Sequence, residues 1–318
     1  MSTRIVCYRD LKGRKDFLTV PAWHLYRKEK KYLSDELSPK YNPVFKYADG
    51  AYFVAYNGYK PVGRVLVWRN EEAGHFSLLW GDCLQELLEE AEKYLKALGC
   101  RYIVGPVGSG RGANFMGVTV QGDCGEHALL TGQLGWWSGP ALRKLHYEIV
   151  QTALCCEITV PSENKWKDTA RRAARRYGLT VRQMRRGIGR FALPSVVHDV
   201  EWSDQVGAAL EAERLLPMVK LRYCLCVHNE HGECLGYILT LAHKWNIRVA
   251  TIMTKEGIYT PPVTTLLVSE LTDRLIEDGV GMVEASVIFD NNLPSKMVLV
   301  RLGAKFRRRI GIFQKSIT

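Results

Sequence analysis

The sequence predicts an α/β protein built on mixed sheets, with one strand-and-helix pattern used twice. Two observations carry this reading. A hairpin, a strand, a glycine-closed helix and a further strand follow one another in each half. The helices read at a 3.6-residue period, and the strands as short runs of β-branched and aromatic residues.

Asp16 to Tyr32 opens the chain as a short amphipathic segment with Phe17, Leu18, Trp23, Leu25 and Tyr26 as its apolar residues, and Asn42-Pro43 makes a turn. Strands over 52–56 and 62–68 flank Asn57-Gly58, a dipeptide suited to a tight hairpin. A third strand covers 76–80. Asp82 is placed to cap a helix over 83–98, with apolar residues at Leu84, Leu87, Leu88, Ala91, Tyr94, Leu95 and Leu98 and Gly99 closing it. Residues 102–104 read as a buried strand, 105–140 as a long irregular loop rich in glycine, and 146–160 as β structure again.

The second half repeats the order. Strands over 223–227 and 235–241 flank a turn, and 249–254 is the next strand. Thr260 caps a helix from Pro261 to Asp278, with proline at the first helical position. Residues 283–288 form the following strand. Each half is expected to fold around its own mixed sheet, giving domains over 1–162 and 201–318 joined by a basic connection over 163–200.

At 318 residues and 47% hydrophobic, the chain has material for two cores. No apolar run reaches the roughly 18 residues of a membrane span. Met1 to Lys15 is polar and lacks the apolar centre of a signal peptide, so the expected location is cytoplasmic. The nine cysteines have no regular spacing and are expected as thiols. Cys224, Cys226, His228, His231 and Cys234 are metal-ligand types crowded together, but zinc sites draw on two separated ligand pairs. The cluster therefore reads as a metal-free hairpin, with Cys224 and Cys226 on one face and Asn229 to Glu233 in the turn.

The net charge of +11 is uneven. Residues 165–190 carry ten Lys or Arg against one acid, Asp168. Arg171, Arg172, Arg175 and Arg176 share a helix face, while Ala170, Ala173, Ala174 and Tyr177 form a small apolar side. This segment reads as a solvated helix and strand, capable of weak, non-specific polyanion binding.

The tail is the most specific stretch. Val283 to Phe289 leads into Asp290-Asn291-Asn292, then a short helix closed by Gly303, then two apolar runs from Phe306 to Ile317 that read as a closing hairpin. With Lys15-Asp16-Phe17 through Pro21 and Tyr26, Asn42-Pro43-Val44-Phe45, Tyr52 to Tyr56, Pro61-Val62-Gly63-Arg64 and Gly105-Pro106, this tail resembles two GNAT-like acyltransferase domains in tandem. More narrowly, it resembles a bacterial family of such tandem proteins whose function is unassigned.

The resemblance implies an N-acyltransferase that moves an acetyl or other acyl group from CoA to a small amine. A GNAT domain directs a glycine-rich loop and a helix N-terminus at the CoA pyrophosphate. Aligned on Leu266-Leu267, the glycine places of that signature fall on Tyr259, Pro261 and Val263, and Pro261 and Pro262 have no N–H. Aligned on Leu87-Leu88, the first half puts Asp82 and Leu84 there, and Asp82, Glu86, Glu89 and Glu90 would repel phosphate. The second half is therefore the candidate acyl-CoA site, with a degraded signature. Its candidate cofactor contacts are Met253, Thr254, Thr260, Thr264, Thr265 and Ser295. Glu284 is the candidate base, with Glu256 a second carboxylate, and Asn292 is the other candidate catalytic residue. Many GNAT enzymes have a tyrosine seven residues after that asparagine; here it is Leu299. His146, Tyr147 and Trp136-Trp137 either line a pocket or fill the seam between domains. Two other functions fit the resemblance: a non-catalytic ligand-binding or scaffold protein, and an aminoacyl-tRNA-dependent transferase that uses the basic segment.

Overall fold

A computed structural model describes residues 3–9, 14–20, 31, 33–34, 49–108, 116–122, 138–184, 218–243, 246–255, 257 and 260–318. Trp23, Leu25, Tyr26, Asn42, Pro43, Trp136, Trp137, Glu256, Ile258, Tyr259 and the segment 185–190 lie outside the described residues.

The first half contains β1 (Arg4–Tyr8), α1 (Arg14–Thr19), β2 (Gly50–Asn57), β3 (Lys60–Asn70), β4 (Ala73–Gly81), α2 (Leu84–Ala97), β5 (Tyr102–Gly105), β6 (Val118–Gly122), α3 (Ser138–Lys144) and β7 (Glu148–Thr159). The second contains α4 (Lys167–Tyr177), β8 (Thr180–Gln183), β9 (Leu225–His228), β10 (Cys234–His243), β11 (Asn246–Thr254), α5 (Thr260–Glu277), β12 (Met282–Phe289), α6 (Leu293–Arg301) and β13 (Lys305–Ser316). The expected strands and long helices are present within a few residues. The first hairpin turns through Gly58, at φ +61°, and Tyr59, between the paired Asn57 and Lys60.

Three expectations are corrected. The two halves do not have separate sheets: one 13-stranded sheet runs β1-β2-β3-β4-β5-β13-β7-β12-β11-β10-β9-β8, with β6 also pairing with β13. The tail is not a hairpin but the single 12-residue strand β13. Asp82 does not cap α2; Cys83 holds the N-cap position and makes no side-chain capping bond. The stretch 105–140 also includes β6 and the start of α3 among its described residues.

The reason for the single sheet is an exchange of strands. β13, from the end of the chain, lies between β5 and β7 and completes the first half, pairing Phe313 with Gly105. β7, from the first half, pairs with β12 along Met282↔Thr159 to Phe289↔Ala153 and completes the second. β7 and β13 pair with each other from Lys305↔Glu157 to Gln314↔Glu148. Lys315 of β13 reaches Glu92 of α2 at 2.8 Å, and the Tyr147 hydroxyl donates to the same carboxylate at 2.8 Å. This places Tyr147 in the first half's core, where burial and the Glu92 charge push its phenol well above the ordinary range.

Three apolar clusters result. One, on the inner face of the sheet, takes residues from both halves, including Tyr52, Trp68, Leu78, Cys155, Cys224, Cys226, Leu239 and Ile310. A second packs α2 on the outer face of the first half through Leu87, Leu88, Ala91 and Leu95. The third packs α4, α5 and α6 on the outer face of the second half through Ala170, Leu267, Leu271 and Leu299.

Because β7 and β13 are common to both halves, the halves should unfold together. Chemical denaturation followed by fluorescence and far-UV circular dichroism is expected to give one coincident transition, and removal of residues 305–318 should abolish the native fold of both halves. A truncated chain in which the second half keeps its native melting temperature would contradict this.

Candidate functional site

Each half contains one parallel strand pair, and the two pairs differ. In the first half, β4 and β5 pair over Ala73–His75 with Tyr102–Val104, and Val107 N–H continues the ladder to the Phe76 carbonyl at 2.9 Å. Gly105 permits this closure, since a Cβ there would sit 2.4 Å from the Phe76 oxygen. In the second half, β11 and β12 pair only at Arg248↔Glu284 and Val249↔Ala285. Beyond those residues they part. β11 also carries one extra residue where it meets β10: Leu239 pairs with Thr251 and Thr240 with Val249, so Ala250 bulges.

The parting opens a cavity of about 740 Å³. It spans both faces of the sheet. Leu271 of α5 and Leu299 of α6 belong to the outer core and line it with the buried Val268, as do Leu241 of the inner core and Ala250, Val287 and Phe289, which pack against that core. Lys165 and Arg301 are exposed residues of its wall, Arg248 is a buried one, and no acidic residue lines it among the described residues.

Met253, Thr254, Thr260, Thr264, Asn292 and Ser295 all line this cavity; Thr265 and Glu284 do not. Thr265 turns its hydroxyl back to the Pro261 carbonyl at 2.8 Å. Thr264 does the same to Thr260 at 2.8 Å, and the Thr260 hydroxyl donates to the Lys255 carbonyl at 3.0 Å. The Asn292 side-chain oxygen accepts from Ser295 N–H at 3.1 Å, so Asn292 is the N-cap of α6. Glu284 reaches the cavity indirectly: the hydroxyl of Ser286, a lining residue, donates to Glu284 at 2.7 Å. The buried Arg248 guanidinium holds the Ser286 carbonyl through two donors at 3.1 and 3.0 Å. Next to them, burial is the main cause that pushes the Cys156 thiol up to about 12, and its Sγ donates to the Ala285 carbonyl.

Several lining residues were not found from sequence. Gln151 and Trp166 come from β7 and the loop behind it, and nothing local marks them; Lys165 belongs to the basic segment but has no local sign of lining a cavity. Arg248 had a signal: an arginine between Ile247 and Val249 in a strand is a charge on one face of an apolar run.

Solved structures with this architecture exist. A tandem GNAT protein from the clavulanic acid biosynthesis pathway aligns over 100% of this chain and 99% of its own, with a TM-score of 0.62 and 10% identity. The tandem GNAT fold is the fold of this chain. A glucosamine N-acetyltransferase region of a fungal multi-domain β-N-acetylglucosaminidase aligns over 99% of the chain and 38% of its own, with a TM-score of 0.62 and 12% identity. A conserved Enterococcus faecalis protein described as a probable N-acyltransferase aligns over 100% and 73%, with a TM-score of 0.57 and 9% identity. No protein-family model matches the sequence, and no curated protein matches it by sequence.

Within the tandem GNAT fold, α5 is the helix behind the open strand pair. Its first residue, Thr260, already donates its N–H to Gly257 at 3.1 Å, and the next two residues are prolines. The helix start therefore offers few free donors, and positive charge near the cavity comes from side chains. Leu299, in the place of the tyrosine common in GNAT enzymes, is buried and packs in the outer core.

The remaining candidates lie elsewhere. Cys224 and Cys226 sit in the inner core, where their thiols point to the Thr240 and Arg182 carbonyls at 3.6 and 3.5 Å. Asn229 organises the following turn, accepting from His231 N–H and Glu233 N–H at 3.1 and 2.9 Å. α4 leans its alanines on the outer core and leaves Arg171, Arg172, Arg175 and Arg176 exposed; β8, after it, is the edge strand beside β9. No helix among the described residues is long and apolar enough to cross a membrane.

Asp290 fixes the cavity's end. It accepts from the Thr152 hydroxyl, lies 3.3 Å from Lys296 and 3.5 Å from Arg309, and its backbone N–H donates to Thr152 at 3.0 Å. The Thr152 bond, then Lys296 and Arg309, hold its carboxyl below the ordinary range despite partial burial. A depressed carboxyl contributes stability above the unfolded value of about 4, and that contribution is lost as pH falls through the folded value. Asp290→Asn is expected to cost about 1–2 kcal/mol at pH 7 and to leave a shallower loss of stability below about pH 4 in denaturant titrations.

Binding of RNA to the α4 face should be non-specific and should weaken roughly tenfold or more for a modest rise in salt if several phosphates are engaged. Arg175→Glu/Arg176→Glu should remove most of it, as read by filter binding at two salt concentrations.

Proposed function

We propose that this chain is an N-acyltransferase that takes its acyl group from CoA in the second-half cavity and passes it to a small amine. The observation that carries this is the early parting of β11 and β12, which opens the sheet from one face to the other. A through-opening lets a donor on the helix side meet an acceptor on the inner side without either having to displace the other. The walls suit a polyanionic donor: Lys165, Arg248 and Arg301 against no acid among the described residues.

The donor's thioester supplies an activated carbonyl. The chain's own part is mostly to bind and orient. Lys165 and Arg301 hold phosphates at the surface, and Thr254 and Ser295 offer polar contacts between the ends of β11 and α6. The bulge takes Ala250, a lining residue, out of the β10–β11 ladder. As the amine nitrogen bonds to the thioester carbon and the C–S bond breaks, CoA leaves as the thiolate, while Ser286, on the wall, takes the proton from the amine and passes its own to Glu284, 2.7 Å away. Arg248 fixes the Ser286 backbone so that this relay keeps its geometry. The first half, whose parallel pair stays shut, serves as a structural partner and a wall for the acceptor side.

Calorimetric titration with CoA and acetyl-CoA tests the donor site. Lys165→Glu/Arg301→Glu should weaken CoA binding about tenfold or more, since each exposed pair is worth up to about 1 kcal/mol and reversal turns attraction into repulsion. Ser286→Ala should leave the CoA dissociation constant within about twofold while lowering kcat by about 100-fold, the low end for loss of a general base. Unchanged turnover in Ser286→Ala and Glu284→Gln would remove the relay. CoA binding that tolerates Thr264→Glu but is lost on changes around Cys83 would move the donor site to the first half.

A further inference from the structure

We propose that the cavity accepts a long apolar acyl chain, and that its reach beneath α5 is an acyl-chain channel; this rests on the acyl-CoA reading above. Along α5 the lining residues are Thr260, Thr264, Val268, Leu271, Thr272 and Leu275, one helix face followed from its first turn to its last. The first two are polar, and the last four are apolar apart from Thr272. From Thr264 to Leu275 the face runs for roughly 16 Å at about 1.5 Å per residue.

The apolar end holds the most buried part of the cavity's lining. Leu275 is 3% exposed, Val283 4%, Leu271 6% and Leu299 6%, yet all border the cavity. They form the floor of the cavity rather than its rim. The hydroxyl at this end, Thr272, is turned back onto the Val268 carbonyl at 2.8 Å, so it offers its proton to the helix rather than to a guest. A cavity floor of leucine and valine favours hydrocarbon over water.

The donor's layout selects the occupant. The exposed wall with Lys165, Arg301 and Ser295 suits phosphates and amides, and the parting of β11 and β12 suits the thioester. What continues past the thioester is the acyl group. An acetyl group ends one methyl beyond its carbonyl and would leave the reach from Val268 to Leu275 empty. A chain of eight or more carbons would fill it, shielded on one side by α5 and on the other by Val283 and Ala285 of β12.

The test is calorimetric titration of the full chain with CoA, acetyl-CoA, octanoyl-CoA and dodecanoyl-CoA, each below its micelle concentration. Affinity is expected to rise with chain length by up to about fourfold per methylene that enters the channel. Leu271→Trp should narrow the ratio of dodecanoyl-CoA to acetyl-CoA affinity by at least tenfold, and Val268→Phe is a milder filling that serves if the first does not fold. Equal affinity for acetyl-CoA and dodecanoyl-CoA would overturn the channel and leave the CoA site standing. Failure of CoA and every thioester to bind would remove the donor reading and the channel with it. A rise with length that both filling variants leave intact would also overturn the proposal, because the chain would then lie elsewhere.

Discussion

The pairing of β7 with β13 is the contact on which the rest of the molecule depends. Each is a 12-residue strand, and they are paired along nearly their whole length. On one side β13 supplies the strand that β5 needs; on the other β7 supplies the strand that β12 needs. Backbone groups on the flanks of β5 and β12 would be left without ladder partners if either strand were withdrawn, a cost that burial magnifies. The inner core follows from the same pairing, since a sheet continuous through β7 and β13 brings Tyr52 and Trp68 of one half into a cluster with Tyr237 and Leu239 of the other.

Against this frame the halves diverge in one local respect. The parallel pair of the first half is drawn closed by Gly105, which lets backbone approach the Phe76 carbonyl where any side chain would collide. The corresponding pair in the second half has two residue pairs and then Ser286 and Val287, whose carbonyl and side chain are taken up by Arg248 and the inner core. A cleft is therefore a question of where the ladder stops. In one half a glycine carries it onward; in the other a buried guanidinium takes the carbonyl that the neighbouring strand leaves free. The difference in charge agrees with the difference in shape. The helix behind the closed pair begins beside Asp82 with Glu86 in its first turn, whereas the helix behind the open pair has no acid in its first turn.

Local features were legible in the sequence, and long-range ones were not. The hairpin at Gly58, the helix faces of α2 and α5, the Asn229 turn and the Asn292-to-Gly303 helix all rest on contacts within a few residues, and periodicity and turn chemistry report such contacts directly. The tail was misread as a hairpin because Gly311 interrupts two apolar runs; in the structure Gly311 simply continues β13, with its missing side chain making room beside Val120. No pattern in β13 says that its partners are β5 and β7, more than a hundred residues away. At the candidate site, Thr254, Thr260, Thr264, Asn292 and Ser295 followed from motif position. Gln151 and Trp166 did not, because strand exchange, not sequence neighbourhood, brings the end of β7 to the cavity. Glu284 was picked as a carboxylate in a strand, but only the structure shows that it faces the inner side and reaches the opening through a hydroxyl.

The exchanged strand also sets the order in which the molecule can be made. Phe313 pairs with Gly105 across 208 residues of chain, so the first half, emerging earlier from a ribosome, has a vacant place in its sheet until residues 305–316 appear. During that interval the flanks of β5 and β7 present unpaired hydrogen-bonding edges and an apolar inner face, the features that promote association between nascent chains. Neither half can be completed before the whole is. A gene for this protein cannot be split at its midpoint into two working modules, and its folding belongs to the slow class in which distant strands must find each other before either core is sealed.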